Sequence, residues 1–225
     1  IFDEIYASPV FMSWIINPNF NVSEIGDTNS IPDYDMTHSK DLSQYGNNHL
    51  IYASTLGVSG EKPDSASCIY PVSGYYFGRS DWSKENFSDS TWCMFKAGYS
   101  SKTHKHADDC SFMLYSKGYD ILVDPGWYNY VSGDKYRDYF VSSRAHNTVI
   151  VDGKTYSPTV ENSVKTGILE TSLTDEYDYV LGFNSMYNGV EIDRHFYRIG
   201  NAIILFDDID SREEHEYCQL FHLSE

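Results

Sequence analysis

The chain has 225 residues, 41% of them hydrophobic and 16% aromatic, enough for one large β domain or a domain with an appendage to bury a core. Its formal net charge of −17 comes with no basic run to release counterions from phosphates, which excludes nucleic acid and anionic membranes as partners and weighs against an acidic polysaccharide. Four cysteines without C-x-x-C spacing argue against a thiolate zinc site, no apolar run approaches the roughly 20 residues of a membrane helix, and no signal peptide is visible.

Residues 1–16 are apolar with Pro9 in their midst and are broken by Asn17-Pro18-Asn19. They predict a short helix kinked or ended near the proline, where an amide hydrogen is missing. Residues 20–35 read as an irregular connection, with IGDTNS at 25–30 and a Pro-Asp turn at 32–33. Residues 37–56 carry Leu42, Tyr45, His49, Leu50 and Ala53 near helical spacing, with Ser39 as a candidate N-cap and Gly46 weakening the pattern. These pieces read as the tail of a helical domain, and the composition of 58–67 marks a linker. The expected division is therefore 1–60, helical tail and linker, and 61–225, a β domain.

From Ile69 onward the period changes to two, and Tyr-, Phe-, Val- and Ile-rich runs recur between Gly, Asn and Asp turns. Strands are predicted at 75–78, 91–96, 111–115, 119–123, 147–151, 164–173, 177–183, 193–199, 202–207 and 216–223. One hairpin is expected around Lys117-Gly118 and a second at Asp152-Gly153, the strongest short-range hairpin signal. So many strands without helices predict a mainly β, antiparallel fold of two packed sheets, because one open sheet that wide would curl.

The ionisable residues that could build a site concentrate in 95–156. In an extended chain His104, His106 and Asp108 would project to one face. The hairpin around Lys117-Gly118 would return Asp124 beside the start of its partner strand, within reach of His106, and His146 could complete the set. Two imidazoles and a carboxylate suit zinc, with water or another group in the fourth position. By spacing alone, paired histidines are as readily a solvated strand face, and Asp124-Pro125-Gly126 an ordinary turn.

Three ordered motifs decide between these readings. THKHADD at 103–109, LVDPGWY at 122–128 and AHNTVIVDG at 145–153 resemble the signature of the heparinase II/III-like family of polysaccharide lyases, and IGDTNS resembles the segment that closes that family's helical toroid. The chain departs at Lys102-Thr103, where a glycine often precedes the first histidine. The resemblance implies an α/α toroid followed by a large β-sandwich, so that residues 1–60 would be a short toroid remnant and 61–225 a sandwich that stops short of its usual C-terminus. It implies Zn2+ on His106, Asp124 and His146, with His104 as the sandwich's catalytic contribution. The reaction implied is β-elimination at a uronic acid in a polysaccharide such as a glycosaminoglycan. The protein would be periplasmic, cell-surface or secreted.

The family's catalytic Tyr and the Asn or His that neutralises the substrate carboxylate would lie in the missing toroid, so the fragment alone is expected to bind metal without appreciable lysis. Arg137, Tyr139 and Arg144 lie between the motifs, where Arg forks could meet sugar carboxylates or brace the loop. The aromatics Tyr75, Tyr76, Trp127, Tyr128 and Tyr130 could stack on sugars, with core packing as the default. Two alternatives remain: a non-catalytic, metal-stabilised carbohydrate-binding or structural sandwich, and a cupin-like metal enzyme. The cupin reading lacks the expected Glu a few residues after the histidine pair.

Overall fold

Alternation along the strands sorts the side chains into two cores. In the computed structural model, which describes residues 2–28, 47–101 and 103–225, strands β1 (Ser67–Tyr70), β2 (Tyr75–Arg79), β3 (Trp92–Lys96), β4 (Ser111–Ser116) and β5 (Tyr119–Leu122) form an antiparallel sheet in sequence order. A second antiparallel sheet holds β7 (Thr166–Leu173), β8 (Asp178–Asn184), β9 (Val190–Ile199) and β10 (Ala202–Ser211), again in sequence order. Tyr76, Phe95 and Phe112 of the first sheet meet Val180 and Phe196 of the second, with the Phe196 ring 5.3 Å from Phe95 and 5.6 Å from Tyr76. Each such ring, once buried, contributes about 1.5–3 kcal/mol, which makes this layer the main adhesive between the sheets.

The opposite face of the first sheet is covered by helices. Phe77, Trp92, Met94 and Met113 pack with Trp14, Ile15 and Ala53 of α1 (Phe2–Ile15) and α2 (Asn48–Ser54), so β3 is buried on both faces. Helix α1 runs through Pro9 and does not end there, which removes one of the two outcomes expected of the proline. Docking on the sheet outweighs the roughly 3 kcal/mol a proline costs a helix interior, and Trp92 Nε1 donates to the Trp14 carbonyl at 2.8 Å near the helix end. Helix α2 starts at Asn47, whose side chain accepts from the Leu50 amide. The rest of the predicted 37–56 helix, including Ser39, Leu42 and Tyr45, lies outside the described residues, as do Asn29 and Ser30 of IGDTNS, the 32–33 turn and Lys102.

The Lys117-Gly118 hairpin joins β4 to β5, with both residues at positive φ as a tight turn of that hand requires. The Asp152-Gly153 expectation is corrected. Both residues have positive φ, but β6 (Val149–Val151) pairs with β11 (Tyr217–Gln219) from the far end of the chain. The turn chemistry is right and the partner wrong, because the Asp152 carboxylate takes His215 at 3.0 Å and the Glu216 amide at 3.1 Å. The predicted strand at 216–223 is correspondingly shorter. Beyond β11 only the isolated bridge Leu122–Leu223 continues the pairing. The sandwich is also not free of helix: α3 (Lys135–Phe140) and short 3-10 turns at Ser143–Ala145 and Val160–Lys165 interrupt it. Its two face-packed sheets are not the single small barrel that a cupin would show.

Asn147 ties the site-bearing loops to this frame. It is fully buried, donates through Nδ2 to the Phe112 and Val123 carbonyls at 2.9 Å each, and accepts the His222 amide on Oδ1 at 2.6 Å. Asn147→Ala orphans those three backbone groups, so we expect a loss of about 3 kcal/mol at roughly 1 kcal/mol per group, measured by urea unfolding. A change under about 0.5 kcal/mol, the size of an ordinary surface substitution, would contradict this account.

Candidate metal centre

The end of β5 delivers Asp124, the 3-10 turn Ser143–Ala145 delivers His146, and the loop at 98–110 delivers His106. One ligand atom from each of these three residues lies within 4.8 Å of the others, and all three are buried. His146 Nδ1 is 2.7 Å from Asp124 Oδ2, and the two imidazole rings are 5.4 Å apart. His106 Nδ1 and His146 Nε2 are buried with no hydrogen-bond partner among the described residues. An unpaired buried nitrogen costs about 1–3 kcal/mol. Two imidazoles and a carboxylate buried this close together are a donor set that a divalent cation satisfies, so the residues fit a zinc ion. Asp124 also borders a cavity of about 400 Å³ with Asn17, Asp120 and Trp92.

The expected extended strand through the histidine pair is not formed. His104 has φ +64, so the chain turns there, and His104, His106 and Asp108 do not share a strand face. His104 is 57% exposed at its side chain while His106 is fully buried. Asp108 is buried too, but it pairs with Lys96 and with Lys105, the latter at 2.7 Å. Burial would raise the Asp108 carboxyl, and the two lysines hold it well below the usual carboxylate range instead. It is thereby committed away from the cluster. His104 borders a cavity of about 210 Å³ with Ile25, Gly26, Tyr75, Ser100 and Thr103.

The residue that sequence reasoning missed is Asp27, in the IGDTNS connection. Its Oδ2 lies 3.0 Å from His104 Nδ1 and its Oδ1 2.9 Å from His106 Nε2, while both guanidinium nitrogens of Arg137 bind it, NH2 at 3.0 Å. The backbone explains how it gets there. Asp27 N donates to the His104 carbonyl at 3.3 Å, and Trp127 N donates to the Thr28 carbonyl at 3.0 Å. Gly26 has φ +56, and a Cβ there would stand 2.3 Å from the His104 carbonyl oxygen; at Gly126, φ +62, a Cβ would stand 2.7 Å from the Thr28 carbonyl oxygen. The Gly-Asp-Thr and Asp-Pro-Gly motifs therefore pack on one another. The available signal was an Asp after a Gly in a connection with no periodicity, among motifs that already shared a resemblance.

Of the other candidates, Arg137 is committed to Asp27, whereas the Arg144 side chain is exposed and its carbonyl accepts from Tyr139 Oη at 3.3 Å. Tyr130 is 63% exposed, with its hydroxyl 3.2 Å from His104 Nδ1, while Tyr76 belongs to the core between the sheets.

Burial lowers the His106 imidazole against the pull of Asp108 and Asp27. For His146 burial acts in the same direction, but Asp124 outweighs it and the net shift is upward. Burial would raise the Asp27 carboxyl, yet the hydrogen bonds from Arg137, His106 and His104 bring it down to about 2. A depressed carboxyl stabilises the fold above its unfolded value and loses that contribution as the pH falls through the folded value.

A two-sheet antiparallel sandwich with a buried His-Asp-His cluster among its loops defines the class of domain. Residues 62–225 match the family described as Heparinase II/III-like, C-terminal, and the chain belongs to that family. Among curated relatives, heparin-sulfate lyase of Pedobacter heparinus is 27% identical over 154 residues, which are 66% of this chain and 21% of the relative. Heparin-sulfate lyase of Bacteroides stercoris is 28% identical over 116 residues, 50% of this chain and 17% of the relative. The chain thus spans about a fifth of the length of these relatives. Among solved structures, a mutant heparan sulfate lyase of Pedobacter heparinus superposes with a TM-score of 0.83 at 21% identity, over 96% of this chain and 34% of the other. Heparinase III gives a TM-score of 0.83 at 19% identity, over 99% and 36%. At these identities the structural likeness is one of fold.

In the metal-free chain, Asp27→Asn should cost about 2 kcal/mol at neutral pH, with about half of that left near pH 3. Urea unfolding at the two pH values checks this, and a cost that does not shrink with acidification would contradict it.

Proposed function

We propose that this chain is the sandwich part of a polysaccharide lyase that cleaves a uronic-acid-containing polysaccharide by β-elimination, with Zn2+ held by His106, Asp124 and His146. The observation that carries the reading is the contrast within one short segment: His106 is buried in a cluster with two unpartnered imidazole nitrogens, and His104, two residues earlier, stands exposed beside a cavity. Zinc bound there would supply a fixed positive charge that neutralises Asp124 and cross-links three loops. The three donors are too deeply buried for a sugar to reach, which favours a structural over a Lewis-acid role.

β-Elimination at a uronide needs a base for the proton next to the carboxylate, neutralisation of the charge that develops there, and an acid for the leaving glycosidic oxygen. An imidazole titrates near neutral pH and can carry a proton in either direction. His104 offers Nε2 for this, since Nδ1 faces Asp27 and Tyr130 while Nε2 has no hydrogen-bond partner among the described residues. On this reading the exposed Arg144 and Tyr139 side chains would meet sugar carboxylates and hydroxyls, and Tyr128 and Tyr130 would stack on rings. The Arg137 fork is already used by Asp27, so its part is to brace the loop. The remaining catalytic groups would come from a helical toroid domain, as the small share of the relatives covered here supports. The protein would work on polysaccharide in the periplasm, at the cell surface or outside the cell.

Elemental analysis of the purified chain should find about one zinc per molecule, lost in both His106→Ala and Asp124→Ala, as removal of one of three protein ligands implies. A wild-type chain free of metal would remove the site. In the full-length parent, His104→Ala should lower the rate of unsaturated uronide formation by about 10²-fold or more. Undiminished turnover would end the assignment of that histidine.

A further inference from the structure

We infer that Asp27 is a positioning residue that fixes the tautomer of both histidines of the pair, turning the Nδ1 lone pair of His106 into the metal cluster and the Nε2 lone pair of His104 toward the cavity. The inference rests on the zinc reading above and adds to it the identity of the coordinating nitrogens and the residue that selects them.

An ionised carboxylate only accepts hydrogen bonds, so a neutral imidazole facing it must carry its hydrogen on the near nitrogen. Asp27 Oδ1 faces His106 Nε2 at 2.9 Å and Oδ2 faces His104 Nδ1 at 3.0 Å, one oxygen to each ring and each nearer than the second neighbour of that nitrogen, Arg137 Nη1 at 3.5 Å from His106 Nε2 and the Tyr130 hydroxyl at 3.2 Å from His104 Nδ1. The free lone pair of His106 is then on Nδ1, the same atom that is buried with no partner. Across the cluster the pattern is reversed: Asp124 Oδ2 takes His146 Nδ1 at 2.7 Å, and Nε2 is the buried nitrogen without a partner. Asp124 is itself a donor of the cluster, whereas Asp27 stands outside it, so selection of the coordinating nitrogen by a carboxylate beyond the metal applies to His106. A metal-bound histidine whose second nitrogen donates to a carboxylate is a more basic and better oriented ligand, and loss of such a partner costs about 10–100-fold in metal affinity.

The placement of Asp27 is not incidental to an exposed surface. Its side chain is 3% exposed, Arg137 closes its outer side with both guanidinium nitrogens, and its backbone is tied to the His104 carbonyl. Gly26 is what permits that approach, since a Cβ there would collide with the same carbonyl. Three separate stretches, 25–28, 104–106 and 137, thus converge on one carboxylate.

The test uses the whole chain labelled with 15N at its histidine rings, with and without added zinc. Long-range proton–nitrogen spectra of the metal-free wild type should show His106 protonated at Nε2 and His104 at Nδ1, and zinc should shift His106 Nδ1. Asp27→Asn should lose the single His106 tautomer and weaken zinc binding, in competition with a chelator, by about 10–100-fold while still saturating at one zinc. A wild-type spectrum with His106 protonated at Nδ1, or an Asp27→Asn chain with unchanged zinc affinity, would overturn the inference. If Asp27→Asn does not fold, the wild-type spectrum alone decides. A wild-type chain that takes up no zinc would sink the metal reading separately, and the tautomers of the metal-free chain would still decide the role of Asp27.

Discussion

A carboxylate taken out of water must find cations or hydrogen-bond donors, and in this protein that requirement joins segments which the sheets alone would leave apart. Isolated, each buried charge would be destabilised by several kcal/mol. Asp178 is fully buried and takes Ser67, Tyr76 and Arg198, which ties the first sheet to the second. Asp109 takes Lys105, Tyr156 and Thr166, and Asp207 takes the buried Arg194, which also donates to the carbonyls of Cys110 and Asn147. Asp27 and Asp124 belong to the same set. What distinguishes them is that their partners are histidines with a second nitrogen to offer.

That difference turns a stabilising network into a candidate site. Around Asp108 and Asp178 the partners are lysines, an arginine, a tyrosine and a serine, none of which offers a lone pair beside the carboxylate as an imidazole does. Around Asp27 and Asp124 the imidazoles leave two buried nitrogens unsatisfied, an energetic debt that a cation would settle. The left-handed turn at His104 separates the two functions along the chain, one imidazole buried toward the cluster and one facing solvent. A metal that fixes the inner histidine fixes the loop, and with it the direction of the outer one.

Local chemistry was legible in the sequence wherever a few adjacent residues decide the outcome. Period-two alternation in 190–199 fits the faces that pack, and Lys117-Gly118 makes its hairpin because the turn alone sets the register. The same logic failed at Asp152-Gly153, where the turn formed but the strand beside it was claimed by residues more than sixty positions away. It failed again along 104–108, where alternation gave way to a turn held by the Asp27 backbone, while at Pro9 sheet packing outweighed a local penalty and the helix did not end.

By itself the sequence determined a mainly antiparallel β protein, its principal hairpin, and which histidines and aspartates stood close enough along the chain to be candidates. Only the tertiary structure decided that Asp27 belongs with them, that Asp108 does not, and that His104 and His106 face different surroundings. The reason is physical: strand period and turn type depend on neighbouring residues, whereas the partner of a buried charge is chosen in three dimensions by whichever donor the packed layers bring within about 3 Å.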